Sequence, residues 1–101
     1  MALRMENDAH VLTVYLDGEI DHHAARSIRE EIDTSIERVR PTALALDFRG
    51  VTFMDSSGIG LVMGRFRAMQ PFGGIVTVKN ASMHIRKVMR LAGLDKLAHI
   101  E

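Results

Sequence analysis

Apolar residues alternate with polar ones, or recur at helical spacing, along almost the whole chain, and the pattern divides it into short strands and helices. Residues 11–16 read Val-Leu-Thr-Val-Tyr-Leu, β-branched, aromatic-containing and short, which predicts a strand. Residues 3–6 predict an edge strand before it, and Asn7-Asp8-Ala9 is turn-like, so the two form a hairpin. Asp17-Gly18 predicts the end of the second strand. Asp21 then takes the place of a helix N-cap, its carboxylate accepting from free backbone N–H groups. Ala25, Ile28, Ile32, Ile36 and Val39 follow at steps of three and four, one apolar stripe. Arg29, Glu30, Asp33, Glu37 and Arg38 cover the other side, and Pro41 stops the helix.

Residues 43–48 predict a second central strand. Leu44, Leu46 and Phe48 share one face; Ala43, Ala45 and Asp47 share the less bulky one. Arg49-Gly50 predicts its end. After residues 51–54, Asp55-Ser56-Ser57-Gly58 predicts a loop into a helix striped by Ile59, Val62, Phe66 and Met69, ending near Gln70-Pro71. Residues 75–78 predict a third central strand, reached through Gly73-Gly74. Asn80-Ala81-Ser82 opens a third helix carrying Ile85, Val88, Met89 and Ala92, with Gly93 at its left-handed C′ position. Residues 97–100 predict a last strand. This order implies an α/β fold: a small mixed β-sheet, opening with an antiparallel hairpin and continuing through parallel βαβ crossovers, with about three helices mainly on one face. With no linker, repeat or low-complexity segment, residues 1–101 read as a single domain.

Composition narrows the function classes. Among 101 residues, 13 Lys and Arg balance 13 Asp and Glu. That neutrality argues against direct nucleic-acid binding, where phosphate contacts demand basic excess. Absence of Cys excludes disulfides, thiol chemistry and Cys-ligated zinc. No apolar run approaches the ~20 residues of a membrane span, and the first residues lack a signal peptide's apolar core. The expectation is a cytoplasmic protein with no membrane partner.

The segment Phe53-Met54-Asp55-Ser56-Ser57-Gly58-Ile59-Gly60 carries the most chemistry. A strand gives way to a helix start, where free N–H groups and partial positive charge favour an anion. Ser56 or Ser57 stands where a phosphate oxygen meets those donors; the same Ser, Asp and Gly residues also suit plain helix capping. Neither serine sits in Gly-x-Ser-x-Gly, so a nucleophile elbow fails. Gly58, Gly60 and Gly64 resemble a dinucleotide fingerprint, without the Lys-Ser/Thr of a Walker loop; they equally permit close helix packing on the sheet. Adjacent His22 and His23 point about 100° apart on a helix, which does not suit one metal, so no metal or cofactor is expected. Met54, Met63, Met69, Met83 and Met89 fall mostly at core spacing. Arg65 and Arg67, with Arg86, Lys87 and Arg90, predict solvated basic faces.

Taken together, Gly18-Glu19-Ile20-Asp21-His22-His23, the Phe53-to-Gly60 segment, Gly73-Gly74 and Leu91-Ala92-Gly93-Leu94 resemble the STAS domain family. The resemblance runs from about Leu3 to Glu101 and is nearest to the anti-sigma factor antagonists of endospore formation. Family members usually continue past the last strand into a C-terminal helix, whereas this sequence stops at Glu101.

The resemblance implies a partner switch with no catalytic residue. Ser56 takes the position that an anti-sigma factor with serine kinase activity phosphorylates. The unphosphorylated form binds that anti-sigma factor and frees a sigma factor, and a metal-dependent serine phosphatase restores it. Asp21 matches the acidic residue beside that serine, and Asp21, His22, Asp55, Ser57 and Gly58 make up the implied partner-binding switch loop. Two alternatives stand beside this reading: a small nucleotide-binding protein using Gly58, Gly60 and Gly64, and a STAS scaffold subunit of a stress-signalling complex.

Overall fold

Two adjacent non-glycine residues, Ala9 and His10, turn the chain back with φ of 49° and 70°. They close a hairpin between β1 (Arg4–Asp8) and β2 (Val11–Ile20) in which Asp8 faces Val11. A two-residue loop with both residues at positive φ matches the right-handed twist of the strands it joins. The turn therefore starts two residues later than Asn7-Asp8-Ala9 indicated and ends one later, and β1 is longer than expected. The computed structural model describes residues 3–101; Met1 and Ala2 of the expected 1–101 domain lie outside it.

The chain continues through α1 (His22–Val39), β3 (Ala43–Met54), α2 (Ser56–Met69), β4 (Ile75–Lys79), α3 (Met83–Leu91) and β5 (His99–Ile100). Short 3-10 turns at Gln70–Phe72 and Leu94–Lys96 follow α2 and α3. The strands lie in sequence order in one sheet, β1 antiparallel to β2 and every later pair parallel. This is the mixed sheet the alternation predicts. The last strand is shorter than residues 97–100.

Leu12, Val14 and Leu16 of β2, Leu44, Leu46 and Phe48 of β3, and Val76 and Val78 of β4 form one buried face. Ala25, Ile28, Ile32 and Ile36 of α1, Leu61, Val62 and Met69 of α2, and Ile85 and Met89 of α3 join them in a single core. Burial of that apolar surface is the main stabilising term. The other face carries the row Thr13, Ala45, Thr77 and His99 in register.

Three corrections concern strands and glycines. Neither Asp17-Gly18 nor Arg49-Gly50 ends a strand. Asp17 pairs with Gly50 and Gly18 with Val51 between two shifts in register, at each of which β3 carries one extra residue, and both strands run on. Gly50 answers a close approach: a Cβ there would stand 2.6 Å from Asp17 Oδ1 and 3.0 Å from the Leu16 carbonyl oxygen. On α2, close packing through glycine holds for Gly58 alone, whose Cβ would collide with the Met54 side chain; Gly60 and Gly64 face open space.

Three more concern side chains. Arg65 is not solvated: it is only 5% exposed, with Nε 2.9 Å from Asp33 Oδ1 of α1. That contact lies off the hydrogen-bonding direction, and among the described residues Nη1 has no hydrogen-bond partner. Burial lowers the pKa of Arg65 most; the carboxylate of Asp33 opposes the shift and the like charge of Arg29 adds to it. Asp33 thus faces α2 instead of solvent alone. Arg86 is likewise half-buried, its Nε unpartnered. Met83 leaves the core altogether and is 78% exposed.

Candidate functional site

The parallel strands β2 and β3 end together at Ile20 and Met54, where α1 and α2 begin, while β4 stops earlier, at Lys79 opposite Asp47, ahead of α3. In open α/β sheets this end of the strands is where ligands and partners gather. Each helix is capped by a side chain accepting from its first turn: Asp21 Oδ1 from the Ala24 N–H at 2.8 Å, Asp55 Oδ1 from the Ser57 N–H at 2.8 Å, and Ser82 Oγ from the Ile85 N–H at 3.1 Å. Both aspartates have extended backbone, as an N-cap requires.

Pairing brings the first two caps together. The β2–β3 ladder runs to Ile20 opposite Met54, and the Asp55 N–H then donates to the Ile20 carbonyl at 3.3 Å. Asp21 follows Ile20 directly, so Asp21 and the Asp55–Ser56 step meet at one end of the sheet although over thirty residues separate them. Of the residues singled out above, Asp21, His22 and Ser56 are exposed, Asp55 and Ser57 half-buried and Gly58 buried.

Division of labour at α2 is specific. Capping falls to Asp55, which leaves both serines free of it. Among the described residues neither serine hydroxyl makes a hydrogen bond. Ser56, the first helical residue, presents its hydroxyl to solvent. Ser57, one step on, lines a cleft between α1 and α2 with His22, Arg26 and Arg29. Gly58, Gly60 and Gly64 lie inside α2. They form no loop ahead of the helix, so the phosphate cradle of a dinucleotide fingerprint is not built here. Among the described residues no group of three or more His, Asp or Glu side chains converges as metal ligands would. No helix there is long and apolar enough to cross a membrane.

Two exposed apolar residues near the helix starts do not stand out in the hydrophobic pattern. Phe53, near the end of β3, is 52% exposed, and Met83 opens α3 immediately after its cap. The available signal was positional: Met83 stands off the Ile85, Val88 and Met89 stripe.

The family model described as "STAS domain" matches residues 2–101. An anti-sigma F factor antagonist of Paenibacillus polymyxa is 32% identical over 100 residues, covering 99% of this chain and 86% of that protein. Among solved structures, the anti-sigma factor antagonist SpoIIAA in its unphosphorylated form matches with a TM-score of 0.85 and 36% identity, over 99% of this chain and 88% of that one. The Bacillus cell fate determinant SpoIIAA in its phosphorylated form matches with a TM-score of 0.78 and 36% identity, over 99% of this chain and 91% of that one.

Proposed function

Because this chain belongs to the STAS domain family, we propose that it is an anti-sigma factor antagonist switched by phosphorylation of Ser56. In its unmodified form it binds an anti-sigma factor that is also a serine kinase, and thereby releases a sigma factor. Phosphorylation of Ser56 ends that binding, and a metal-dependent serine phosphatase restores it. The protein itself catalyses nothing. Its relatives are named for the antagonist role, and one of them has been solved in both an unphosphorylated and a phosphorylated form.

The observation that carries this reading is the Ser56 hydroxyl, exposed at the first position of α2 while Asp55 does the capping. A kinase can reach that oxygen without breaking a bond of the fold. A phosphate adds about −1.5 to −2 charges and three acceptors, at a helix start whose dipole tolerates them. Backbone change is therefore small, and the effect falls on whatever docks there. Asp21 and Asp55 flank the site, so the phosphate deepens a local negative field. Turning a complex from 99:1 bound to 1:99 takes about 5.5 kcal/mol of differential affinity. Steric bulk, like-charge repulsion and the loss of a desolvated hydrogen bond are each of a size to contribute.

Incubation with the cognate anti-sigma factor and ATP tests it. Mass spectrometry should place one phosphoryl group on Ser56, and Ser56→Ala should bind the anti-sigma factor and stay bound in ATP. Ser56→Asp should bind at least tenfold more weakly. An unmodified Ser56, or wild-type affinity in Ser56→Asp, sinks the reading.

A further inference from the structure

His22, Arg26 and Arg29 stand on α1 at steps of four and three, which stacks them on one side of the helix. With Ser57, Gly60 and Leu61 of α2 they line a cleft of about 390 Å³ between the two helices, opening beside the start of α2. Gly60 keeps the α2 wall low, since a Cβ there would meet nothing within 4 Å.

The positive charge in this cleft is unmatched. Among the described residues no carboxylate comes within ion-pair distance of Arg26 or Arg29. The four-residue spacing from Arg29 leads to Asp33, which is drawn to the buried Arg65 instead. Glu30, four residues after Arg26, lines a different cleft with Glu31 and Arg38. The caps Asp21 and Asp55 accept from backbone N–H groups and make no ion pair with either arginine. Arg29 and Arg65 also act on each other as like charges. On a chain with no net charge, this is a local groove whose two arginines make no ion pair among the described residues.

We propose that the α1–α2 cleft is a docking groove for an acidic segment of the protein partner, its carboxylates meeting Arg26 and Arg29 beside the Ser56 switch. The proposal rests on the Ser56 reading only for the partner's identity. It also gives the switch a mechanism: a phosphate at the mouth of the groove repels the segment that must enter it. At about 390 Å³ the cleft has room for a few side chains of a docking segment, and an acidic segment matches the one sign of charge that its arginines leave open.

The test uses the full chain. An oligoglutamate peptide titrated by NMR should shift the amides of Ser57, Gly60 and the first turns of α1 saturably, and salt should weaken the effect. The R26E/R29E variant should lose those shifts, while R38E, the same kind of charge reversal elsewhere on α1, should keep them. In a pulldown R26E/R29E should bind the cognate anti-sigma factor roughly tenfold or more weakly than R38E does. All these arginines are exposed, and circular dichroism checks that the variants fold. Shifts outside the cleft, equal shifts in R26E/R29E, or saturation by inorganic phosphate without response to oligoglutamate would each overturn the proposal. The peptide titration reads the groove even if no anti-sigma factor binds, so the two readings fail separately.

Discussion

The Asp55 N–H donates to the Ile20 carbonyl oxygen at 3.3 Å, and the caps of two helices stand on either side of that one bond. Asp21 begins α1 immediately after Ile20, and Asp55 begins α2. The reach between Asp21 and Ser56 is thus set by the β2–β3 ladder, whose register fixes Ile20 opposite Met54. Local loop conformation has little freedom to change it.

If Asp55 rather than either serine caps α2, Asp55→Ala should lower stability by about 1 kcal/mol in urea unfolding, and Asp55→Asn by only a few tenths. Ser56→Ala and Ser57→Ala should be near neutral. Equal losses for Asn and Ala at position 55 would mean the cap is not the source.

The Arg65–Asp33 pair gives an asymmetric expectation. Asp33→Ala leaves a buried guanidinium facing Arg29 without its counter-charge. Because the Asp33 side chain is 43% exposed, solvent screens part of the loss, which should be about 1–2 kcal/mol. Arg65→Met fills the same space without charge and should be close to neutral. Combining the two should recover most of the Asp33→Ala loss in a double-mutant cycle; simple additivity would show that the pair does not act as a unit.

Three glycines of one sequence class should respond in opposite directions. Gly64→Ala meets nothing within 4 Å on a helix and should stabilise by about 0.5–1 kcal/mol. Gly50→Ala drives a Cβ against the Leu16 carbonyl and Asp17 and should destabilise by about 1–3 kcal/mol. Gly58→Ala should cost less in a Met54→Ala background than alone, because the clash is with that side chain. Thermal melts of these variants decide it.

The Ala9–His10 turn holds two L side chains at positive φ. The double substitution A9N/H10G puts an Asn-Gly pair, which adopts that conformation readily, in their place and should stabilise by about 1 kcal/mol. On a domain of this size that raises Tm by roughly 4–8 °C. A fall in Tm would mean that Ala9 and His10 make contacts worth more than their strain.

What the sequence made legible was what near neighbours determine. The α1 stripe of Ala25, Ile28, Ile32 and Ile36 is written at fixed spacing, as are the Asp21 cap and the left-handed Gly93 after α3. What it hid depends on a partner far along the chain. Gly18 and Gly50 look like strand ends because glycine usually is one; only their pairing region, a bulge between parallel strands, makes them interior. Arg65 looks solvated beside Arg67 because Asp33 comes from another helix. At the site, the Asp-Ser-Ser-Gly segment marked the place, but which residue caps and which is free is settled by the Asp55–Ser57 hydrogen bond. The unpaired cations of α1 were invisible for the same reason, since Asp33 is diverted by a residue thirty-two positions away.

Pairing between β3 and β4 stops at Asp47 and Lys79, while β2 and β3 run on together to Ile20 and Met54. Past that point the sheet is a two-stranded arm, and Ser56 sits just beyond its tip. Such an arm has fewer neighbours to lose on opening than the five-stranded part does. Amide hydrogens near residues 50–54 should therefore exchange with solvent sooner than those of Leu44 to Leu46. If the proposed switch holds, its docking surface is mounted on the stretch of sheet with the fewest strand neighbours, so a partner can reshape it locally while the body of the domain stays as it is.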